Sequence, residues 1–554
     1  MNLKPCRAAG GLKKADTGHG QASKWEIPAN WISLQMLFAS LILGFQSLDA
    51  FATTYYVNVN NPTPASPYTN WSTASISIQS AVNLATNGDL VLVTNGFYQN
   101  EPPREYVDTN EDATIMARIG ISSGVTVSSV NGPAFTLIQG YPFTCVFLAA
   151  NATLSGFTLT NGIAEDSDPP FGGGAYCQTT LAIITNCMIC TNVSPEGSGG
   201  GVFSGTLNNC ILSNNFAEYV GGGSFNSVLN HCILVGNTVF YNSGSGAFGG
   251  TLNNCVLASN TVSYDGSSEY SIGGAACSNV LNNCLLLYNF AYGDEASAAA
   301  GCVLTNCTIA ENRFVPGADE IPVLHSCILR NCILYYNGYN GFGGTGIYGG
   351  SDLKNCCAEP AFGFHGGSNN NFTNAPLFVN TNSDFHLQSG SPCINAGNNV
   401  FVSSTTDFDG NLRIVGGTVD IGAYEYQTPT SVISYAWLQQ YGLPTDGSVD
   451  YADLDGTAFN VYQDWVTGLN PTNSASVLAM LTPAVTNNAN GITVTWESVT
   501  NILYNLQRST NLASQPSFSS IQSNITGQAG TTSYTDTSAT NNVPYFYRVG
   551  VLAP

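Results

Sequence analysis

The chain has 554 residues, 44% apolar and only 9% charged, a profile opposed to intrinsic disorder, which pairs low hydrophobicity with high net charge. Its net charge is −22, and beyond residue 52 only eight basic residues remain, Lys354 being the sole lysine. Nucleic acid and anionic membrane surfaces both need clustered Lys and Arg, so this composition argues against either as a partner.

Five of the thirteen basic residues (Lys4, Arg7, Lys13, Lys14 and Lys24) precede residue 25. They form a positive n-region ahead of an apolar run over 31–45, and Ala50-Phe51-Ala52 supplies an A-x-A cleavage site before Thr53. The run is shorter than the ~20 residues a bilayer span needs. A signal peptide over 1–52 is therefore expected, with no transmembrane span in the mature chain. Met36 is an alternative start that keeps the apolar core. The mature protein is expected to be secreted or held at the cell surface.

After the leader, 75–85 places Ile78 and Val82 at helical spacing and predicts a helix capping the open end of a solenoid, as such folds require. Strand-like pieces follow at 90–93, 125–127, 136–138 and 153–158. Between the first two lies an acidic stretch (Glu101, Arg104, Glu105, Asp108, Glu111 and Asp112), read as a solvated loop.

From residue 181 the sequence repeats. IITNCMI, TLNNCIL, VLNHCIL, TLNNCVL, VLNNCLL, VLTNCTI, VLHSCIL, ILRNCIL and DLKNCCA share one pattern, with cysteines at 187, 210, 232, 255, 284, 307, 327, 332 and 356. Self-similarity at a period of about 22 residues is the mark of a solenoid. The pieces are short and strand-like, without helical periodicity, so the fold class is all-β and the body, over 53–375, a right-handed parallel β-helix. The five-residue gap from Cys327 to Cys332 indicates one rung using the motif twice.

Within the rung containing Cys210, Leu207, Cys210 and Leu212 should point inward, with Asn209 in a left-handed bend, a conformation Asn tolerates. Five residues after the cysteine another asparagine recurs, at 192, 215, 237, 260, 289, 312 and 337. Stacked amides can hydrogen-bond along the axis. Nine residues before it stands a small residue (Gly201, Gly223, Gly246, Ala275, Ala298), and seven before it Phe203, Phe225 and Phe248 should stack, Cys277 continuing the column. Seventeen cysteines in an exported chain suggest disulfides. In-register stacking, however, sets their Cβ vectors parallel rather than converging. Most are therefore read as buried free thiols, and the Cys187-Met-Ile-Cys190 spacing as part of the ladder rather than a redox pair.

YYVNVNN…SIQSAVNLATNGDLVLVTNGFY, GVTVSSVNGPAFTLIQG and TLSGFTLTNG resemble secreted bacterial β-helix proteins of the pectate-lyase-like superfamily. PLFVNTNSDFHLQSGSPCINAGNN…DFDGNLRIVGGTVDIGAYEYQ, over 376–427, resembles the choice-of-anchor Q region that closes many such β-helices. The resemblance implies export and a β-helix, and offers polysaccharide cleavage as one possible activity.

Beyond residue 427 the composition changes. SYAWLQQYGLP predicts a short helix with Trp437 and Tyr441 one turn apart, in a linker over 428–475. DLDGTAFNVYQDWVTGLNPTN resembles the calcium-loop-and-helix units of exported bacterial proteins. Aligned on such a loop, Asp453, Asp455, Thr457 and Asp464 would be the calcium ligands. Thr457 replaces an acid, Ala458 replaces the turn glycine, and Asp464 is shorter than the usual Glu. Weak calcium binding and a degenerate structural linker both remain open. From 476 to 554, alternation in ITVTW, YNLQRS and YFYRVGV resembles a fibronectin-III or immunoglobulin-like β-sandwich.

Two functional readings compete. A lyase needs an Arg or Lys base near calcium-binding carboxylates, yet between Cys145 and Gly350 the only basic residues are Arg313 and Arg330. A hydrolase needs clustered acids, and the N-x-D, D-D and G-H-G motifs are missing from the rungs. Eight to eleven residues after the ladder cysteine, by contrast, acids and tyrosines recur: Glu196; Glu218 and Tyr219; Tyr241; Tyr264 and Asp265; Tyr292, Asp294 and Glu295. Stacked, they would line one edge, suited to an extended extracellular polysaccharide or a cell-surface component. The reading favoured from sequence is an adhesin-like or glycan-binding module, with a polysaccharide lyase or glycoside hydrolase as the alternative.

Overall fold

The computed structural model describes residues 52–165, 167–241, 243–263, 273–291, 296–314, 323–338, 350–359, 369–481, 491–500, 502–513, 516–540 and 543–551. Among the described residues three sheets of 20, 11 and 6 strands, parallel but for one N-terminal hairpin, run along the repeats and form a parallel β-helix. One rung shows the plan. Its strands Val202–Phe203 and Thr206–Asn208 belong to the first sheet, Ile211–Ser213 to the second and Phe216–Ala217 to the third. Each pairs in register with its equivalent one rung on: Leu207 with Leu229, Leu212 with Leu234, Ala217 with Val239.

Left-handed residues make the corners. Between the first and second sheets they are Asn186, Asn209, His231, Asn254, Asn283, Asn306 and Asn331, all at φ of 51–54°. Asn dominates because its side chain tolerates that conformation better than other non-glycine residues. Leu207, Cys210 and Leu212 are buried, as their alternation requires.

At the next corner the predicted amide ladder is present. Asn237 Nδ2 donates to Asn260 Oδ1 at 3.0 Å and to Leu212 O at 2.9 Å, while its Oδ1 accepts from the Asn215 backbone N–H and amide. The same set recurs from Asn192 to Asn337. Each side chain thus satisfies backbone groups that the bend removes from the sheet. A second, shallower ladder links Asn208, Asn230, Asn253 and Asn282.

The cysteine column sits inside. Fifteen cysteines are free and buried. Their thiols are more than filler, because Cys255 Sγ accepts the Cys232 N–H at 3.4 Å and donates to Leu229 O. Outside the column, burial pushes the Cys145 thiol up to about 12. The column differs from the sequence reading in one member. Cys327 shares its rung with Cys332 but lies at the kink of the first sheet, beneath Cys302, in a separate short column. The main column therefore steps from Cys307 to Cys332 without irregularity.

Gly201, Gly223 and Gly246 stack where a Cβ at Gly223 would come within 2.5 Å of the Gly246 carbonyl oxygen. Phe203, Phe225 and Phe248 stack at centroid separations of 5.4 and 5.5 Å, and Cys277 continues the row. Phe147 and Tyr176 extend the stack toward the N-terminus.

At that end the helix Ile78–Val82, capped by Ser77, buries Ile78 and Val82 over the first rung. The acidic stretch is not a loop. Arg104–Asp108 pairs antiparallel with Ala113–Ile121, and the hairpin covers the aromatic row through Tyr106, stacked on Phe147 at 4.7 Å. Glu101 and Asp108 are buried in it. Arginine-free carboxylates survive there by capping: Ser77 Oγ donates to Glu101 and Tyr176 Oη to Asp108.

The region 376–427 does not plug the far end; it lies along the outer face of the second sheet. The residue after each column cysteine (Ile233, Val256, Leu285, Ile333, Cys357) points outward and forms one apolar cluster with Phe378, Phe385, Leu387, Ile394, Ile421 and Tyr424. Polar bonds tie the same region to the corner asparagines: Asn254 and Asn283 donate to the carbonyls of Asp407 and Thr406, and Asn331 to that of Asn398. The helices Tyr435–Gln440 and Val461–Thr467 follow, then two three-stranded antiparallel sheets around buried Trp496, Tyr504 and Leu506.

Candidate functional sites

The turn from the third sheet back to the first carries the tyrosines. Glu218 N–H donates to Ser194 O, Tyr219 N–H to Gly197 O and Tyr241 N–H to Glu218 O, so successive turns are themselves stacked. This brings the rings of Tyr219 and Tyr241 into one row, 6.3 Å apart and 26° from parallel, with Tyr219 41% exposed. Phe240 meets Tyr241 edge-on at 4.7 Å and braces it. Glu218 is partly committed: its Oε2 accepts the N–H of Glu196, a left-handed residue at φ 56°. Four members of the predicted stripe (Glu196, Glu218, Tyr219 and Tyr241) are thus brought together. Tyr264, Asp265, Tyr292 and Asp294 lie outside the described residues.

Of the solenoid arginines, Arg118, Arg313 and Arg330 hold backbone or pair with acids, while exposed Arg104 donates to Asn83 Oδ1 at 3.3 Å. Arg118 donates to the carbonyls of Glu101, Gly140 and Tyr141. Arg313 pairs with Glu311 at 3.1 Å and Arg330 with Asp352 at 2.7 Å.

In the linker, Asp453 accepts the N–H groups of Gly456 and Ala458, and Asp455 that of Thr457. Ala458 takes the left-handed turn conformation, φ 70°, that glycine would otherwise supply. Asp464 lies in the helix Val461–Thr467, whose capping box pairs Asn460 with Gln463. It is 1% exposed, and neither of its oxygens, nor Oδ2 of Asp455, has a hydrogen-bond partner among the described residues. Burial, then the charges of Asp455 and Asp453, raises the Asp464 carboxyl to about 6. Orphaned buried oxygens of this kind suit a hard cation. Among the described residues no three His, Cys, Asp or Glu side chains form a finished metal set, so backbone carbonyls or water would have to complete the shell.

A polar centre not singled out in the sequence lies in 376–427. Arg413 is wholly buried and donates to the carbonyls of Asp420, Gly422 and Ala423. Asp407, Asp420 and Glu425 surround it, each accepting backbone N–H groups; burial raises Asp420 to about 7 and Glu425 to about 9. Nearby, His386 lies between Asp384 at 2.5 Å and Asp409 at 2.7 Å and packs on Tyr424. The signal was present in DFDGNLR and DIGAYE, whose acids stand in a chain otherwise poor in charge. These groups organise the segment's own backbone rather than an open cleft.

No family model and no curated protein matches the chain. Among solved structures it is similar to the pectate lyase Pel9A at 15% identity and TM-score 0.41, covering 67% of this chain and 96% of that one. It is similar to an alginate lyase from Paenibacillus sp. str. FPU-7 at 11% identity and TM-score 0.26, covering 50% and 96%. A third is the mannuronan C-5 epimerase AlgE6 A-module of Azotobacter vinelandii, at 13% and 0.25, covering 51% and 94%. Likeness at this level concerns the fold alone. Taken with the strand pairings above, the chain is a parallel β-helix protein with a laterally packed C-terminal region and an antiparallel C-terminal β-sandwich.

Proposed function

We propose that the protein is exported and binds an extended polysaccharide along the edge where the third sheet turns back to the first. The observation that carries this reading is the near-parallel pair of exposed Tyr219 and half-buried Tyr241, one rung apart. Flat aromatic faces repeated along an axis offer apolar surface to successive sugar rings. The test is a glycan array with Tyr219→Ala/Tyr241→Ala. Binding should be lost while the protein stays folded, with Tyr219→Ala alone, at the exposed position, leaving the melting temperature within a degree or two of wild type; retained binding would sink the proposal.

Cleavage of a polysaccharide is the second reading. The names of the solved structures keep it in view without arguing for it, and the pairing of Arg313 and Arg330 with acids opposes it. Incubating the protein with acidic polysaccharides and calcium decides between the two. Unsaturated or new reducing ends would replace binding with catalysis.

Calcium at 453–464 belongs to the same proposal, with Asp453, Asp455, Thr457 and Asp464 as side-chain ligands. Its support is the unpartnered oxygens of Asp464 and Asp455. Millimolar calcium should raise the melting temperature of this segment relative to magnesium, and Asp464→Asn should abolish the difference. Export through residues 1–52 would be read by an N-terminus at Thr53 in the secreted protein. No helix among the described residues is long and apolar enough to cross a membrane.

A further inference from the structure

The column cysteines and the pair Cys357 and Cys393 differ in kind. Column thiols rise in register from one rung to the next, so their Cβ vectors run parallel. Cys357 instead follows the last column member, Cys356, and so faces out of the solenoid, in register with outward Ile333. Cys393 comes from the opposite side, in the turn after Ser391, whose Oγ accepts the Cys393 N–H. The two residues meet face to face in the apolar cluster between the second sheet and 376–427, both wholly buried. The two thiols are neighbours in this cluster, and Cys357 Sγ donates to Asn374 O at 3.1 Å. Side chains that approach from facing elements can turn Cβ toward Cβ, which a disulfide requires and a stacked column does not offer.

We propose that Cys357 and Cys393 form a disulfide that fastens the region 376–427 to the side of the β-helix. The bond is made by exchange with an oxidised small-molecule disulfide such as oxidised glutathione. One cysteine thiolate attacks the oxidant, releasing one glutathione thiol and leaving a mixed disulfide. The second cysteine then displaces the other glutathione, closing the protein S–S bond. Two electrons pass to the oxidant, and the two thiol protons end on the two glutathiones released. Burial raises the Cys357 thiol well above its ordinary range, so the reaction proceeds while 376–427 is still undocked or transiently open. Every other fastening at this contact is non-covalent: Ala423 N–H to Thr308 Oγ1 at 3.1 Å, Gly422 N–H to Asn331 O at 2.9 Å, and the Asn331–Asn398 pair.

The experiment refolds the full chain from denaturant in a glutathione redox buffer, so the oxidant is supplied whether or not the protein is exported. Remaining thiols are alkylated in denaturant, the protein is digested, and peptides are weighed with and without reductant. The expected product is one reductant-sensitive species joining the Cys357 and Cys393 peptides, with column cysteines fully alkylated. Alkylation of both Cys357 and Cys393, or a cross-link from either one to a column cysteine, overturns the proposal. As a second measure, oxidised wild type should melt several degrees above reduced wild type, while Cys393→Ser should be indifferent to reductant. An equal response to reductant in Cys393→Ser and wild type overturns it as well.

Discussion

Replacing Asn237 with alanine tests the amide ladder at its centre. The side chain is fully buried and takes part in four hydrogen bonds, two as donor and two as acceptor. Truncation leaves the Asn215 backbone N–H and one Asn215 amide proton without an acceptor, in a place water cannot enter. Asn260 Oδ1 keeps a partner, because the Asn237 backbone N–H also donates to it at 3.0 Å. Two orphaned buried donors at about 1–3 kcal/mol each give a loss of about 2–6 kcal/mol. Asn337, at the far end of the ladder, accepts an equivalent pair of bonds from Asn312 but is only part-buried. Water can replace it there, so Asn337→Ala should cost about 1–2 kcal/mol. Urea unfolding followed by circular dichroism gives both values, and hydrogen exchange over 211–239 locates the loosened rung. If Asn237→Ala lies within about 0.5 kcal/mol of wild type, or matches Asn337→Ala, the ladder is not what holds the corners.

Gly223→Ala should cost about 1–3 kcal/mol or more by denaturant titration, because its new Cβ meets the Gly246 carbonyl oxygen at 2.5 Å. The fifteen free, buried cysteines should resist labelling in the native protein and all react on denaturation under reducing conditions; fast native labelling of several of them would refute the packing. The pH dependence has a defined sign. His386, driven up to about 9 by Asp409 and Asp384 against the cost of burial, contributes stability that is complete below its unfolded value of about 6.5 and is lost as pH rises through 9. Glu425, raised by burial to about 9, adds a slope of the same sign above its unfolded range. The melting temperature should therefore fall between pH 6.5 and 10, and His386→Gln should flatten part of that fall; an unchanged slope in the variant would rule out the histidine.

What the sequence made legible follows from in-register stacking. A column in such a fold appears at constant spacing, so Asn215, Asn237 and Asn260 could be aligned by counting alone, and Phe203, Phe225 and Phe248 likewise. Counting showed that Cys327 and Cys332 share one rung, but not that Cys327 sits at a different corner, outside the main column. It also missed contacts made by segments outside the repeat. The hairpin 104–121 reads as polar loop because Tyr106 and Ile115 find their partners, Phe147 and Tyr176, only in space. The outward apolar residue after each cysteine was visible as the Ile, Val or Leu of NCIL, NCVL and NCLL. Its meaning was hidden because the covering segment, from Phe378 to Tyr424, lies up to nearly two hundred residues further on. The tyrosine row was found by the same counting that found the ladders. The buried Arg413 centre is built by a single segment and leaves no period to count.

The lateral placement of 376–427 decides how load would travel. A tether pulling on a solenoid through its last rung peels strands away one at a time, each exposing the next. Here the chain leaves through a segment bonded to Asn254, Asn283 and Asn331, on three of four successive levels of the stack, and the linker is pinned to it by Tyr435 N–H on Ile394 O. A pull on the C-terminal β-sandwich is therefore shared sideways among several rungs at once. The geometry is one of shear rather than unzipping, and the β-helix resists it as a block.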